Sequence, residues 1–287
     1  MKLGSYEIFS CDTGRFRLDG GAMFGVVPKT LWQKEIPADD KNRIDLALRT
    51  LLIKGPNFNC LIDVGMGDKW QDKEKSIYEL QMENFDQCLM TSAGIKAKDI
   101  THIIITHLHF DHCGGLSSWK DSKQQELSIN FPNASIYIHE ENFKWASNPN
   151  LREKASYLEF NWSAYKKSGQ IQLIQSKLME PKEILPNIWI YLSQGHTHGQ
   201  QLPLLSINNK NVFFCGDLFP SSSHLRIPWN MGYDIQPLVI MKEKQIILDE
   251  AKKNQWLFHF EHDPSKGLCE LIWPEEKHKS PTAKSII

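Results

Sequence analysis

The sequence predicts an α/β sandwich, two β-sheets packed together and covered by outer helices. Short apolar, β-branched runs recur from Tyr6 to Phe260, and helical patterns are interspersed among them. No repeat, low-complexity tract or linker divides the chain, so residues 1–287 are read as one domain. Taking the elements in order, 6–10 and 16–18 read as strands flanking Cys11-Asp12-Thr13-Gly14-Arg15, which predicts a hairpin turn. Strands 48–53 and 60–64 flank Lys54-Gly55-Pro56-Asn57 as a second hairpin. A helix is expected over 77–93, with Ile77, Leu80, Phe85, Cys88 and Leu89 near helical spacing and Gly94 as its cap. The run 100–105 reads as a buried strand. Strand 136–139 then leads into a helix over 140–145. Polar, aromatic-rich residues 146–170 follow, so 140–170 is expected to form a partly helical insertion or lid. Strands 171–174, 188–192, 204–207 and 212–215, a helix over 238–253 and a final strand over 256–260 complete the reading.

Composition narrows the function. A chain of 287 residues, 41% hydrophobic and 23% charged, can bury a sizeable core. Its net charge of -1 gives no general attraction to nucleic acid or an anionic membrane. No apolar run approaches the roughly 20 residues that cross a bilayer, and the first residues lack an export signal, so a cytoplasmic location is the default. The six cysteines are scattered with no C-x-x-C pair, which favours reduced, buried thiols. Cys113 and Cys215 lie near candidate metal ligands, but packing as small apolar residues is the favoured reading.

The chemistry concentrates in Thr106-His107-Leu108-His109-Phe110-Asp111-His112, three histidines and an aspartate within six residues after a strand. Imidazoles and a carboxylate converging at a strand end suit a metal. If strand geometry persisted, His107 and His109 would share a face, and the turn would bring Asp111 and His112 beside them. Gly114-Gly115 permits the tight exit. Three further residues stand at strand ends: His196 in Gly195-His196-Thr197, Asp217 in Gly216-Asp217, and His262 in Glu261-His262-Asp263. Each alone is ordinary; four such elements in this order are not.

In these residues the sequence resembles the metallo-β-lactamase superfamily, whose ordered motifs are H-x-H-x-D-H, G-H-T, G-D and a late H-D. The resemblance implies an αββα sandwich of two mixed β-sheets flanked by helices. It also implies that His107, His109 and His196 hold one metal, that Asp111, His112 and His262 hold a second, and that Asp217 bridges them. Asp63 then supports the site without binding metal. Two divalent ions are implied, zinc first and iron, cobalt or manganese otherwise. A hydroxide shared between them would attack the substrate, with Asp111 orienting it and passing a proton to the leaving oxygen. His109, where oxygen-reducing relatives carry glutamate, argues for hydrolysis.

Phe110 within the motif resembles the lactonases that open N-acyl homoserine lactones and so quench quorum signals. The segment Asp19-Gly20-Gly21-Ala22-Met23-Phe24-Gly25-Val26-Val27-Pro28-Lys29 also resembles the N-terminal loop of that branch and its organophosphate-hydrolase relatives, and Met23 and Phe24 are expected to line an acyl-binding wall. Those lactonases carry a tyrosine three residues after the bridging aspartate; here it is Pro220. His224 is the expected catalytic substitute, with Tyr233 the other candidate near the substrate. His198 is expected at the rim, while His102, His139, His259 and His278 are read as structural. An organophosphate triester or aryl ester hydrolase is the alternative, and a non-catalytic metal-binding protein of the same fold is the different class. The expected partner is a small acyl lactone or ester, with no nucleic acid or membrane. A homodimer is left open, because the aromatics of 140–170 suit either a pocket cap or a subunit contact.

Overall fold

The computed structural model describes residues 1–287 except 122, 277, 278 and 287, so His278 lies outside the described residues. The strands in chain order are β1 (Lys2–Leu3), β2 (Tyr6–Asp19), β3 (Arg43–Lys54), β4 (Asn59–Ile62), β5 (Gln81–Met82) and β6 (His102–Ile104). A small hairpin, β7 (Ser117–Trp119) and β8 (Leu127–Ile129), precedes β9 (Ser135–His139) and β10 (Ile171–Ile174). The second half holds β11 (Lys182–Leu185), β12 (Ile188–Ser193), β13 (Gln200–Ile207), β14 (Lys210–Phe214), β15 (Leu257–His259), β16 (Leu268–Ile272) and β17 (Thr282–Ser285). The helices are α1 (Gly20–Phe24), α2 (Lys29–Trp32), α3 (Asp72–Tyr78), α4 (Phe85–Ala93), α5 (Phe110–Cys113), α6 (Glu140–Ser147), α7 (Ser163–Ser168) and α8 (Pro237–Asn254).

The first sheet runs β1-β2-β3-β4-β6-β9-β10, antiparallel up to β4 and parallel beyond it, with β5 paired to β2. The second runs β11 to β17 in order and is antiparallel except where β14 meets β15. Strand alternation makes the sandwich. Leu51, Ile53 and Ile104 of the first sheet pack with Leu205, Val212 and Phe214 of the second, forming the core between the sheets. Their neighbours Leu52 and Ile103 face the other way, toward Leu89 of α4, Ala146 of α6 and Tyr165 of α7. On the opposite side Phe213 and Phe258 meet Ile240, Ile247 and Ala251 of α8. The predicted αββα order is therefore present, two mixed sheets inside and helices outside.

Three local expectations are corrected. Residues 11–15 make no hairpin: β2 is one strand of 14 residues, and its register against β3 shifts between Asp12 and Gly14. Gly14 absorbs this bulge at φ +150°, where a Cβ would lie 2.6 Å from the Gln81 carbonyl of β5. The 77–93 helix is two helices. The first stops at left-handed Glu79 (φ 45°), β5 intervenes, and Asn84 recaps the chain by accepting from the Gln87 N–H. Gly94 ends the second helix as expected. Strand 256–260 is not the last, since β16 and β17 extend the sheet beyond it. In the segment 140–170, Tyr157, Trp162 and Tyr165 are buried in the core beneath the first sheet. Those three rings serve packing, not a cap or a subunit contact.

Candidate metal centre

Seven side chains converge where loops from both sheets meet. The strand β6 ends at Ile104, so His107 and His109 lie on a loop and not on the extended strand face first expected. Asp63 shapes that loop: its carboxylate accepts from the Thr106 backbone N–H (2.7 Å) and hydroxyl (2.6 Å). Asp63 itself sits at φ 55°, an unfavourable backbone retained because Thr50 and Thr106 fix it. Asn142 of α6 accepts from the Leu108 N–H at 2.9 Å. The short helix α5 then delivers Asp111 and His112, and its exit needs Gly115, whose Cβ would lie 2.1 Å from the Val64 carbonyl. His196 follows β12, Asp217 follows β14, and His262 follows β15.

Two groups result. His109 Nδ1 lies 3.0 Å from His107 Nε2 and 3.2 Å from His196 Nε2. His112 Nε2 lies 3.4 Å from His262 Nε2, and each is 3.8 Å from an oxygen of Asp111. Asp217 stands between the groups. Its Oδ2 is 3.2 Å from His196 and 4.0 Å from His107; its Oδ1 is 3.6 Å from His112 and 3.4 Å from His262. Tetrahedral zinc with Zn–N of about 2.0–2.1 Å needs ligand–ligand edges of about 3.3 Å, which these separations bracket. Asp217 Oδ1 is buried without a hydrogen bond, an orphan that a cation would satisfy. The fold and these His/Asp clusters suit a dinuclear metal site.

The outward ring nitrogens are held as metal-binding histidines require. His112 Nδ1 lies 3.0 Å from both Asp63 and Glu261, and His196 Nδ1 is 2.9 Å from Asp234. His262 Nδ1 donates to the Ala47 carbonyl at 2.9 Å, and Thr106 Oγ1 is 3.0 Å from His107 Nδ1. His109 Nε2 faces Glu153 at 3.7 Å, an ion-pair distance with no other partner. Burial, with the neighbouring imidazoles, pushes the His107 pKa well below its usual value, leaving a lone pair free. Burial acts against charge on His262 too, but the neighbouring carboxylates of Asp217 and Glu261 outweigh it and raise its pKa to about 9. Burial raises Glu261 to about 8 despite His112 and His262. Where carboxylates draw protons onto His112, His196 and His262, metal cations compete for the same lone pairs.

Glu153, Asp234 and Glu261 had no distinguishing signal beyond Asp234 and Glu261 lying beside residues already singled out. Glu153 is fixed by hydrogen bonds from Thr197 (2.6 Å), Trp145 (2.8 Å) and Asn150 (2.8 Å). Burial raises its pKa, but His109 and these donors win and lower it to about 2. Replacing Glu153 with Gln is expected to weaken metal binding by about 10–100-fold, measured by competition with a chromophoric chelator.

A cavity of about 410 Å³ opens over the cluster, with Phe16, Leu18, Leu46, Met23 and Met231 as apolar walls. Met23 and Tyr233 line it, and Tyr78 at the end of α3 joins them. Phe24 and His224 do not. Phe24 is fully buried between Trp32 and His224, stacked on both. His224 is spent on structure: Nε2 meets the Met23 carbonyl at 2.9 Å and Nδ1 the Ser221 hydroxyl at 2.8 Å. Burial and Lys244 depress its pKa to about 3, so the ring is neutral at neutral pH and its single N–H is committed to the Met23 carbonyl. His224→Ala is expected to cost about 1–3 kcal/mol of stability in a denaturation curve. The kcat/KM of the metal-loaded protein should not fall with it. At the position where tyrosine was expected, the Pro220 carbonyl accepts from the His262 N–H at 3.1 Å. His198 pairs with Gln194 and packs on Trp145. The six cysteines are free; Cys113 and Cys215 are buried and lie outside the metal-binding groups found among the described residues. His102, His139 and His259 are held by Thr101, Ser176 and Ser10. No helix among the described residues is long and apolar enough to cross a membrane.

A probable metallo-hydrolase of Mycobacterium tuberculosis is 25% identical over 181 residues, 60% of this chain and 54% of that protein. The chain thus spans about half the length of the curated relatives it matches. A probable metal-dependent hydrolase from Staphylococcus aureus superposes with a TM-score of 0.88 at 27% identity, covering 100% of both chains. A dizinc quorum-quenching lactonase superposes with a TM-score of 0.79 at 21% identity, over 99% of this chain and 96% of the other. At that identity the second likeness is one of fold. The sequence profile described as the Metallo-beta-lactamase superfamily matches residues 49–262, a span that contains all seven clustered side chains. The chain belongs to the metallo-beta-lactamase superfamily.

Proposed function

We propose that the protein is a dinuclear-metal hydrolase of lactones, with N-acyl homoserine lactones the leading substrates. The observation that carries this reading is the split carboxylate of Asp217, one oxygen turned to each His/Asp group. His107, His109 and His196 would hold one metal; Asp111, His112 and His262 the other; and Asp217 both. Two divalent ions there, zinc foremost given the N/O donors, supply Lewis acidity at a carbonyl and hydroxide at neutral pH. Asp111 lies at the cavity floor, where its carboxylate can take up a proton and return it to the leaving oxygen. Tyr78 and Tyr233 bring phenol groups to the same cavity as candidate donors to the substrate carbonyl. The apolar walls suit an acyl chain and exclude water around it. Likeness in fold to a lactonase with product bound supports the choice of lactones.

The test is a panel of short- and long-chain acyl homoserine lactones, γ-lactones, a phosphate triester, an aryl ester and a thioester. The zinc-loaded protein should hydrolyse lactones with the highest kcat/KM. Lactone rates no better than the ester or triester rates would overturn the lactone assignment. Metal analysis giving fewer than about one ion per intact chain would overturn the dinuclear one.

A further inference from the structure

We infer that the mouth of this cavity is an anion subsite built on Arg152, and that the preferred substrate carries a carboxylate on its acyl arm. The inference rests on the hydrolase reading and narrows it. Arg152 is the one lysine or arginine lining the cavity among the described residues. No carboxylate among those residues lies within ion-pair distance of it. Its guanidinium donates to the Gly232 carbonyl across the mouth, and its remaining N–H groups have no acceptor among the described residues.

Both walls it joins are pinned. On its own side Asn150 accepts from the backbone N–H groups of Arg152 (2.8 Å) and Glu153 (3.0 Å), while Glu153 is tied to Trp145 and Thr197. Opposite, the Gly232 N–H donates to the Ala22 carbonyl at 2.7 Å, and Asp234 accepts from the Met231 N–H at 2.8 Å. The backbone on both sides of the Arg152–Gly232 bond is therefore fixed before any ligand arrives, which lowers the ordering cost of binding. Leu18, Leu46 and Met231 line the same cavity and give it an apolar wall suited to hydrocarbon. A planar fork with unused donors beside an apolar wall matches a carboxylate in geometry and charge. The chain's net charge of -1 offers anions no general attraction, so the selectivity is local.

The experiment compares N-hexanoyl homoserine lactone with its N-adipoyl counterpart, equal in chain length but ending in a carboxylate, on the zinc-loaded protein. Turnover is measured, and calorimetry gives Kd for the two hydrolysis-resistant lactam analogues. The adipoyl arm should be favoured by roughly tenfold in kcat/KM and in Kd. That preference should collapse toward unity in Arg152→Gln and survive in part in Arg152→Lys. Equal Kd for the two lactams, or a preference that survives Arg152→Gln, would overturn the subsite. Absence of turnover with an Arg152-dependent Kd difference would instead overturn lactone hydrolysis and uphold the subsite.

Discussion

Replacing Asp217 with alanine is expected to strip the centre of at least one of the two metals proposed for it and to abolish most of the proposed hydrolysis. The reason is positional. Among the described residues Asp217 is the only side chain with an oxygen facing each histidine group, and it is buried. Its pKa is held well below the usual carboxylate value: burial opposes the charge, and His196, His112 and His262 overcome it. Removing it leaves His196 and His109 3.2 Å apart, and His112 and His262 3.4 Å apart, without the carboxylate that stood between the two groups. Metal content should fall from two ions to at most about one per chain by elemental analysis. The loss in kcat/KM should exceed the roughly 10–100-fold typical of outer-shell partners. Retention of two ions and near-normal turnover would remove Asp217 from the bridging position.

The second large effect is on stability. Trp162 is 1% exposed and packs in the core under the first sheet with Phe131, Ile138 and Tyr165. Tyr165 adds a hydroxyl that accepts the Phe131 N–H at 2.9 Å, locking the packing geometry. Trp162→Ala should cost about 3–5 kcal/mol in chemical denaturation, because the cavity left behind cannot fully collapse. A cost below about 1 kcal/mol would mean that this ring is a mobile flap over the cavity and not part of the core. The two substitutions also separate function from folding: the first acts on metal content, the second on the denaturation midpoint.

How legible the site was depended on how its residues are spaced. His107, His109, Asp111 and His112 are compressed into one loop and helix, and His196, Asp217 and His262 each follow a recognisable strand. Glu153 had no such marker. It is one of 34 acidic residues, and only the fold brings its segment against His109, 44 positions away from its partner Thr197. His224 shows the reverse error. Proximity in sequence to Asp217 suggested a place at the substrate, but a 3₁₀ turn at Ser222–Leu225 points the ring into Phe24. Local turn chemistry misled in the same way at Gly14, where a glycine between two strand-like runs marks a bulge and not a reversal. Leu51, Leu52 and Ile53 alternate between two cores, yet as a continuous apolar run they show no period of two; the layers were legible from the interleaving of strand and helix signals.

The seven clustered side chains have a divided origin: those from 107 to 112 hang from the first sheet, those from 196 to 262 from the second. Neither half carries a complete set, so the site exists only after the halves have docked. Ion capture then comes late in folding, once the Ala47–His262 and Arg49–Glu261 backbone bonds have joined the two edges. It follows that a bound ion would act as a rivet across the seam, raising the melting temperature with free metal concentration. The rate of ion loss to a chelator would time the rare opening of one sheet from the other, a clock for breathing motion built into the protein itself.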